Sequence, residues 1–269
     1  MTFLSNMMFG TTRGGFWLPF VFFFIVTAVG FGQVTVSGKK GLLMIPTAEV
    51  LEDGTFSLMG AYIPEKQRFG GRPGYNNQII AGSLTVLPRL SVHFQFIHDR
   101  PTGNLPVRPQ GLGDRQLDFT YLMVKEKDWR PSVALAATFP ISKFAPTSST
   151  ALVATKHWEV MSDWQIQGTL GYGVPVYFYR DESNLNNYNF LTKVRLGRKD
   201  RDDYLVGGFG GLKVSYRHHA GLMAEWTGQQ FHVGAYATVA KRLTLQGGRL
   251  SAGAWMASVS YQTPLVKSK

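Results

Sequence analysis

Asp118 and Glu225 are carboxylates in otherwise alternating stretches, and two carboxylates flanking one bond are the apparatus of glycoside hydrolysis. They lie far apart in the chain, and no local pattern brings them face to face. The other reactive residue types are as thinly set. His218 and His219 are adjacent, so on a strand their rings point to opposite faces and cannot share a metal by alternation. His157 stands beside Trp158 with no second histidine at i+2 or i+4. No serine lies in a G-x-S-x-G elbow, and Gly38-Lys39-Lys40-Gly41 lacks the spacing of a phosphate-binding loop. No catalytic residue, cofactor or metal site is therefore assigned, and the chain is expected not to be an enzyme. The ionisable groups on the polar faces, His93, Asp118, Lys213, Arg217, Glu225, His232 and Arg249, are expected instead to line or brace the interior of a closed sheet.

The elements that carry these residues follow a period of two. Segments of strand length recur, each ended by a turn: Thr55–Pro64, Gln78–Leu87, Leu90–His98, Gln116–Lys125, Pro131–Phe139, Ala151–Trp158, Trp164–Val174, Tyr204–Arg217, Ala220–Thr227, Gln230–Ala240, Leu243–Leu250 and Ala254–Gln262. Trp164, Ile166, Gly168, Leu170, Tyr172 and Val174 share one face, opposite Gln165, Gln167, Thr169, Gly171 and Gly173. Phe231, Val233, Ala235, Ala237 and Val239 oppose His232, Gly234, Tyr236 and Thr238. Leu117, Phe119, Tyr121 and Met123 oppose Gln116, Asp118 and Thr120. One apolar and one polar face per strand is the pattern of a transmembrane barrel wall.

A soluble sandwich alternates in the same way. Three features favour the barrel. The segments are close to the length needed to cross a bilayer at a tilt. Glycines fall on both faces, as in Gly207-Gly208-Phe209-Gly210-Gly211, and would leave a packed two-sheet core short of volume. Aromatics gather near strand ends (Tyr62, Trp129, Phe139, Trp158, Trp164, Tyr172, Tyr204, Tyr261), where interface girdles form. In lipid no strand edge can stay unpaired, so the sheet must close. The fold expected is an all-β, antiparallel transmembrane barrel of about twelve strands over residues 55–262, with a tail at 263–269. Leu87-Pro88-Arg89 reads as a tight periplasmic turn. Longer gaps at 65–77, 99–115 and 175–197, rich in Arg, Asn, Gly and aromatics, read as loops that face the exterior or fold over the pore.

The ends and the composition agree with export. Arg13 precedes the apolar run Phe16–Phe31, and Gly30 and Gly32 supply small residues, so residues 1–32 are expected to be a signal peptide cleaved before Gln33. The 269 residues contain no cysteine, 30 glycines and 19 phenylalanines, with 17% charged residues and a formal charge of +11. A compartment that permits disulfides is thus not used for them. The basic residues are scattered through turns and strand ends with no basic helix. That argues against nucleic acid and for anionic polysaccharide or lipid headgroups as partners.

Residues 33–54 do not read as wall. The run Gly41-Leu42-Leu43-Met44-Ile45-Pro46-Thr47-Ala48 is apolar without alternation and is broken by a proline, and Asp53-Gly54 turns into the first clear strand. This lead-in is expected to be a plug, an inner lining, or a first strand. The run, with Asp53-Gly54, resembles the opening motif of the YjbH-like family of outer-membrane barrels linked to exopolysaccharide production. Gly111-Leu112-Gly113-Asp114 resembles that family's G-x-G-D turn. Gly221-Leu222-Met223-Ala224-Glu225-Trp226 resembles its late strand with an acid beside an aromatic. The chain is shorter than the long members and ends QTPLVKSK instead of on an aromatic.

The resemblance implies the outer membrane of a Gram-negative envelope and a part in export or assembly of an exopolysaccharide or capsule, with periplasmic or lipoprotein partners and no catalytic residues. The alternatives are an adaptor barrel in another envelope or protein-secretion complex, and a lipid- or glycan-modifying barrel enzyme. An open lumen would favour transport; one filled by Ser37–Gly54 would favour an adaptor.

Overall fold

A computed structural model describes residues 33–67, 74–103, 114–139, 147–179, 193–196, 204–239, 242–251 and 253–265. The segment expected to be a signal peptide, much of the three long loops and the glycines of the G-L-G-D turn lie outside the described residues. The strands are β1 (Thr55–Ile63), β2 (Tyr75–Leu87), β3 (Leu90–Pro101), β4 (Asp114–Val124), β5 (Ser132–Thr138), β6 (Ser149–Met161), β7 (Trp164–Tyr179), β8 (Lys193–Leu196), β9 (Gly207–Tyr216), β10 (Ala220–Trp226), β11 (Phe231–Val239), β12 (Leu243–Arg249) and β13 (Trp255–Pro264). Each pairs antiparallel with its neighbours, and β1 pairs with β13 from Thr55↔Pro264 to Tyr62↔Ala257. The β6–β7 and β7–β9 ladders complete the circuit. The result is a closed barrel of twelve strands, with β8 outside the ring.

All twelve expected strands are present, within a few residues of their expected ends. The correction is at Pro175. The gap taken as a loop begins with five more residues of β7, Pro175 to Tyr179, of which Val176 to Tyr179 pair with β8. Val-Tyr-Phe-Tyr is β-branched and aromatic, the composition that fits a pleated strand, and Pro175 sits opposite Ser149, the first residue of β6. The turn after β2 is as tight as expected, with Arg89 at φ 78°. Thr55 and Pro264 are partners at the same end as that turn, so both ends of the wall meet at the short-turn rim.

Side chains are distributed inside out relative to a soluble protein. Leu58, Ile80, Val86, Tyr121, Leu152, Leu170, Leu212, Leu222, Phe231, Leu245 and Val259 are exposed on the outer face. The interior holds Ser57, Asn77, Gln95, Gln116, Thr155, Gln167, Gln246 and Gln262, all buried. An apolar belt on every strand of a closed ring is far larger than a soluble monomer leaves uncovered and is the surface a bilayer covers. Trp164 and Tyr216 lie 5.1 Å apart at the short-turn end, where an aromatic girdle belongs. Glycines in the wall admit neighbouring rings. A Cβ on Gly82 would lie 2.1 Å from the Phe94 ring, and one on Gly171 would lie 2.2 Å from the Phe209 ring.

The lead-in fills the interior. This plug is packed against the inner faces of the wall strands. Gln33 through Ala48 are buried except for Lys40, which is partly exposed. Its backbone is knotted on itself: Thr35 N donates to Lys39 O at 2.7 Å, Val36 N to Leu43 O at 3.1 Å, Leu42 N to Ile45 O at 3.0 Å and Thr47 N to Lys40 O at 3.0 Å. These internal bonds satisfy donors that a polar wall would otherwise have to meet.

Candidate functional site

The functional geometry lies where plug meets wall. Leu43 and Ile45 are fully buried, and the wall opposite them is bare of side chains. A Cβ on Gly234 or Gly248 would come within 2.9 and 2.6 Å of Leu43, and one on Gly211 within 3.0 Å of Ile45. These inward glycines of β9, β11 and β12 form a socket for the apolar tip. Between them, β10 supplies Glu225. Its Oε1 accepts from Met44 N at 2.8 Å, and its Oε2 accepts from Leu43 N at 3.1 Å and Ile45 N at 3.3 Å. One carboxylate thus takes up three consecutive backbone donors of a turn, a use for which charge-assisted bonds are well suited. Gln246 Nε2 donates to Leu42 O at 3.0 Å, and the Tyr204 hydroxyl donates to Met44 O at 2.5 Å.

The other side of the plug is held by charge. Lys39 Nζ lies 2.5 Å from Asp118 Oδ2, with both side chains almost wholly buried. Gln116 Nε2 donates to both Asp118 oxygens at 2.8 Å, and Thr147 Oγ1 donates to Gln116 Oε1 at 2.6 Å. Ser83 Oγ donates to Gly38 O at 2.5 Å and also faces His93 Nδ1 at 2.7 Å, while His93 Nε2 lies 3.0 Å from Thr120 Oγ1. Ala48 N donates to Thr155 Oγ1 at 2.8 Å.

Toward the short-turn rim the plug ends in an ionic cluster. Gln167 Nε2 donates to Glu49 Oε2 at 2.8 Å. Lys40 Nζ and His157 Nε2 stand 4.0 and 3.6 Å from Glu49 Oε1. His157 Nδ1 is 2.6 Å from Glu126 Oε2, and Lys156 Nζ is 2.7 Å from Glu126 Oε1. His157 therefore spans a plug carboxylate and a turn carboxylate. Burial pushes the Glu126 carboxyl up, but hydrogen bonds from His157 and Lys156 carry it below its ordinary value. Burial likewise raises Glu49, but Lys40, Lys213, His157 and the Thr47 hydroxyl outweigh it and bring it to about 2, from an ordinary 4.5. A depressed carboxyl stabilises the fold above its unfolded value and ceases to do so as pH falls through its folded one. Seating of the plug by Glu49 is accordingly expected to hold at neutral pH and to weaken from about pH 4.5 toward about 2. Amide exchange across residues 39–49, measured against pH in Glu49→Gln and the parent, checks this. The parent should approach the variant at the acid end.

Of the seven residues expected on the inner face, five are there. His93, Asp118, Glu225 and His232 are buried. Lys213 is inward on β9, 5.9 Å from the Tyr236 ring. Asp118 and Glu225 hold opposite sides of the plug and do not converge on a common site. Arg217 and Arg249 are corrections. Arg217 has left the strand, takes φ 48° in the β9–β10 turn and pairs with Asp163 at 3.0 Å. Arg249 shares the outward parity of Leu243 and Leu245 and is exposed. Sequence reasoning missed Lys39, Glu49 and the partners of His157. The only signal for Lys39 was a lysine beside a glycine turn in a segment otherwise too apolar for one.

Residues 34–269 match the sequence model of a family described as YjbH, exopolysaccharide biosynthesis protein YbjH. No curated protein matches the chain. Among solved structures, the COG4313 outer membrane channel from Pseudomonas putida F1 aligns at TM-score 0.33 and 12% identity, over 80% of this chain and 97% of that one. A mutant Rh. blastica porin aligns at TM-score 0.26 and 8% identity, over 78% and 98%.

Proposed function

The chain belongs to the YjbH exopolysaccharide biosynthesis family, and from that premise we propose that it is an outer-membrane barrel assisting export or assembly of an exopolysaccharide. The supporting observation is a closed wall with an apolar outer belt and a polar interior. With both wall ends at the short-turn rim, that rim is assigned to the periplasm and the longer loops to the exterior. Lipid is the partner of the belt, and periplasmic or lipoprotein components of an export system are the partners of the rim. The family match and the barrel wall support an assisting rather than an enzymatic role.

The filled lumen divides this role in two. As a conduit the barrel has to release residues 33–54; as an adaptor it works with them in place. Deleting the gene and measuring bound and released polysaccharide tests the shared premise, which unchanged polysaccharide would contradict. Complementation then separates the branches. In Ala48→Cys/Thr155→Cys, built where Ala48 N and Thr155 Oγ1 are 2.8 Å apart, a disulfide ties plug to wall in a chain with no other cysteine. A locked barrel that restores polysaccharide is an adaptor. One that restores it only with serine in place of either cysteine is a gated conduit.

A further inference from the structure

The chain is basic, at +11, yet the inner faces of the twelve wall strands are not. Alternation sorts the charges. At the loop end of β3, Asp99 turns inward to accept from Asn77 Nδ2 at 2.8 Å, while Arg100 turns outward and donates from Nε to Gln78 Oε1 at 3.0 Å. On β4, Asp114 shares the inward parity of Gln116 and Asp118, and Arg115 the outward parity of Leu117. With Glu225 on β10 and Glu159, which shares the inward parity of His157 on β6, the inner faces carry five carboxylates against one lysine, Lys213. The plug segment carries Lys39 and Lys40 against Glu49, Glu52 and Asp53; Lys39 is the direct partner of Asp118, and Lys40 faces Glu49. Lys39 supplies the countercharge of Asp118. When the plug leaves, Asp118 loses that ammonium and Glu225 loses its three amide donors, while the wall's own excess of carboxylates remains. The wall also keeps hydrogen-bonding capacity that the plug does not use: Gln95 Nε2 and Gln167 Oε1 are buried with no partner among the described residues.

We infer that the lumen vacated by residues 33–54 accepts saccharide chains that are uncharged or carry amino groups, and excludes uronate- or phosphate-bearing ones. Carboxylates accept hydrogen bonds from paired sugar hydroxyls, and glutamine amides both donate and accept, so Asp118, Glu225, Gln95, Gln116, Gln167 and Gln246 form a surface matched to hydroxyl-rich chains. An ammonium on a sugar can take the place of the Lys39 ammonium at Asp118. A polyanion entering the same space meets like charge under low-dielectric walls, where repulsion is strongest. This selectivity rests on the saccharide reading of the barrel, and it reverses the expectation of an anionic polysaccharide drawn from net charge.

The test uses the full chain and a Leu43→Asp variant, which sets a carboxylate against Glu225 and drives the plug out while leaving the wall unchanged. In planar bilayers under a potassium chloride gradient, the variant is expected to prefer cations over chloride by about fivefold or more. Asp99→Asn and Asp118→Asn added to it should bring that preference toward unity. In liposomes the variant should admit neutral or amino-sugar oligosaccharides about tenfold faster than uronate oligosaccharides of equal length. A chloride-preferring or unselective channel, or equal entry of the uronates, overturns the inference. So does the lack of any conductance when exchange of the plug amides shows the plug displaced. If Leu43→Asp does not fold, Glu225→Gln serves in its place, with Asp99, Asp114 and Asp118 still on the wall. Selectivity is read on purified protein and export on deletion cells, so the two readings fail separately.

Discussion

Glu225→Gln is expected to free the plug while leaving the wall folded. The substitution keeps shape but replaces one acceptor oxygen with a donor, which then faces either Met44 N or the Leu43 and Ile45 N–H groups that Glu225 now receives. At least one buried donor loses its partner, and the remaining bonds lose their charge. A hydrogen bond to a charged group is worth about 1.5–3 kcal/mol, and a buried orphan costs about 1–3 kcal/mol more. A loss of about 3 kcal/mol corresponds to roughly a hundredfold rise in the open population. Hydrogen exchange should show that rise at residues 42–46 and not in the β1–β13 ladder. Gln246→Ala, which removes one neutral bond to Leu42 O, should act in the same place by only about 1 kcal/mol. Equal protection in Glu225→Gln and the parent would show that the glycine socket alone seats the plug.

The second large effect concerns Lys39 and Asp118. Removing one member of a buried pair leaves the other charge without compensation and costs about 3–5 kcal/mol, whereas neutralising both is often tolerated. Lys39→Met should therefore lower the urea midpoint of the barrel in micelles strongly, and Lys39→Met/Asp118→Asn should recover most of it. Gln116 still donates to the remaining carbonyl oxygen in the double variant. Additive losses would mean that each residue acts through other neighbours.

The wall was legible because each strand carries its own evidence: Phe231 to Val239 alternate whatever their partners are. The lead-in was set apart for the same reason in reverse, since Leu42 to Pro46 offers no alternation. What it does in the lumen was not legible. Lys39 meets Asp118, 79 residues further along the chain, and Leu43 meets Glu225, 182 residues further along, and no local pattern encodes a pairing between an irregular knot and a strand. Arg217 and Arg249 failed where alternation itself stops informing. Near a rim, a long basic side chain on the outward face can extend its charge to water, so polarity there does not mean interior. The glycines of β9, β11 and β12 showed a curved wall in the sequence, but not that they left room for particular leucine and isoleucine side chains.

The plug also bears on the order in which the molecule is made. Its residues leave the ribosome before any strand, yet two of its anchors, Glu225 and Gln246, lie on β10 and β12 near the other end of the chain. The self-bonded knot can form early from contacts between near neighbours, while the ring closes only when β13 reaches β1. Pairing across such sequence distances is slow, because loop closure precedes any gain from contact. The lead-in is thus a mandrel, a small finished object around which a late-closing sheet is wrapped.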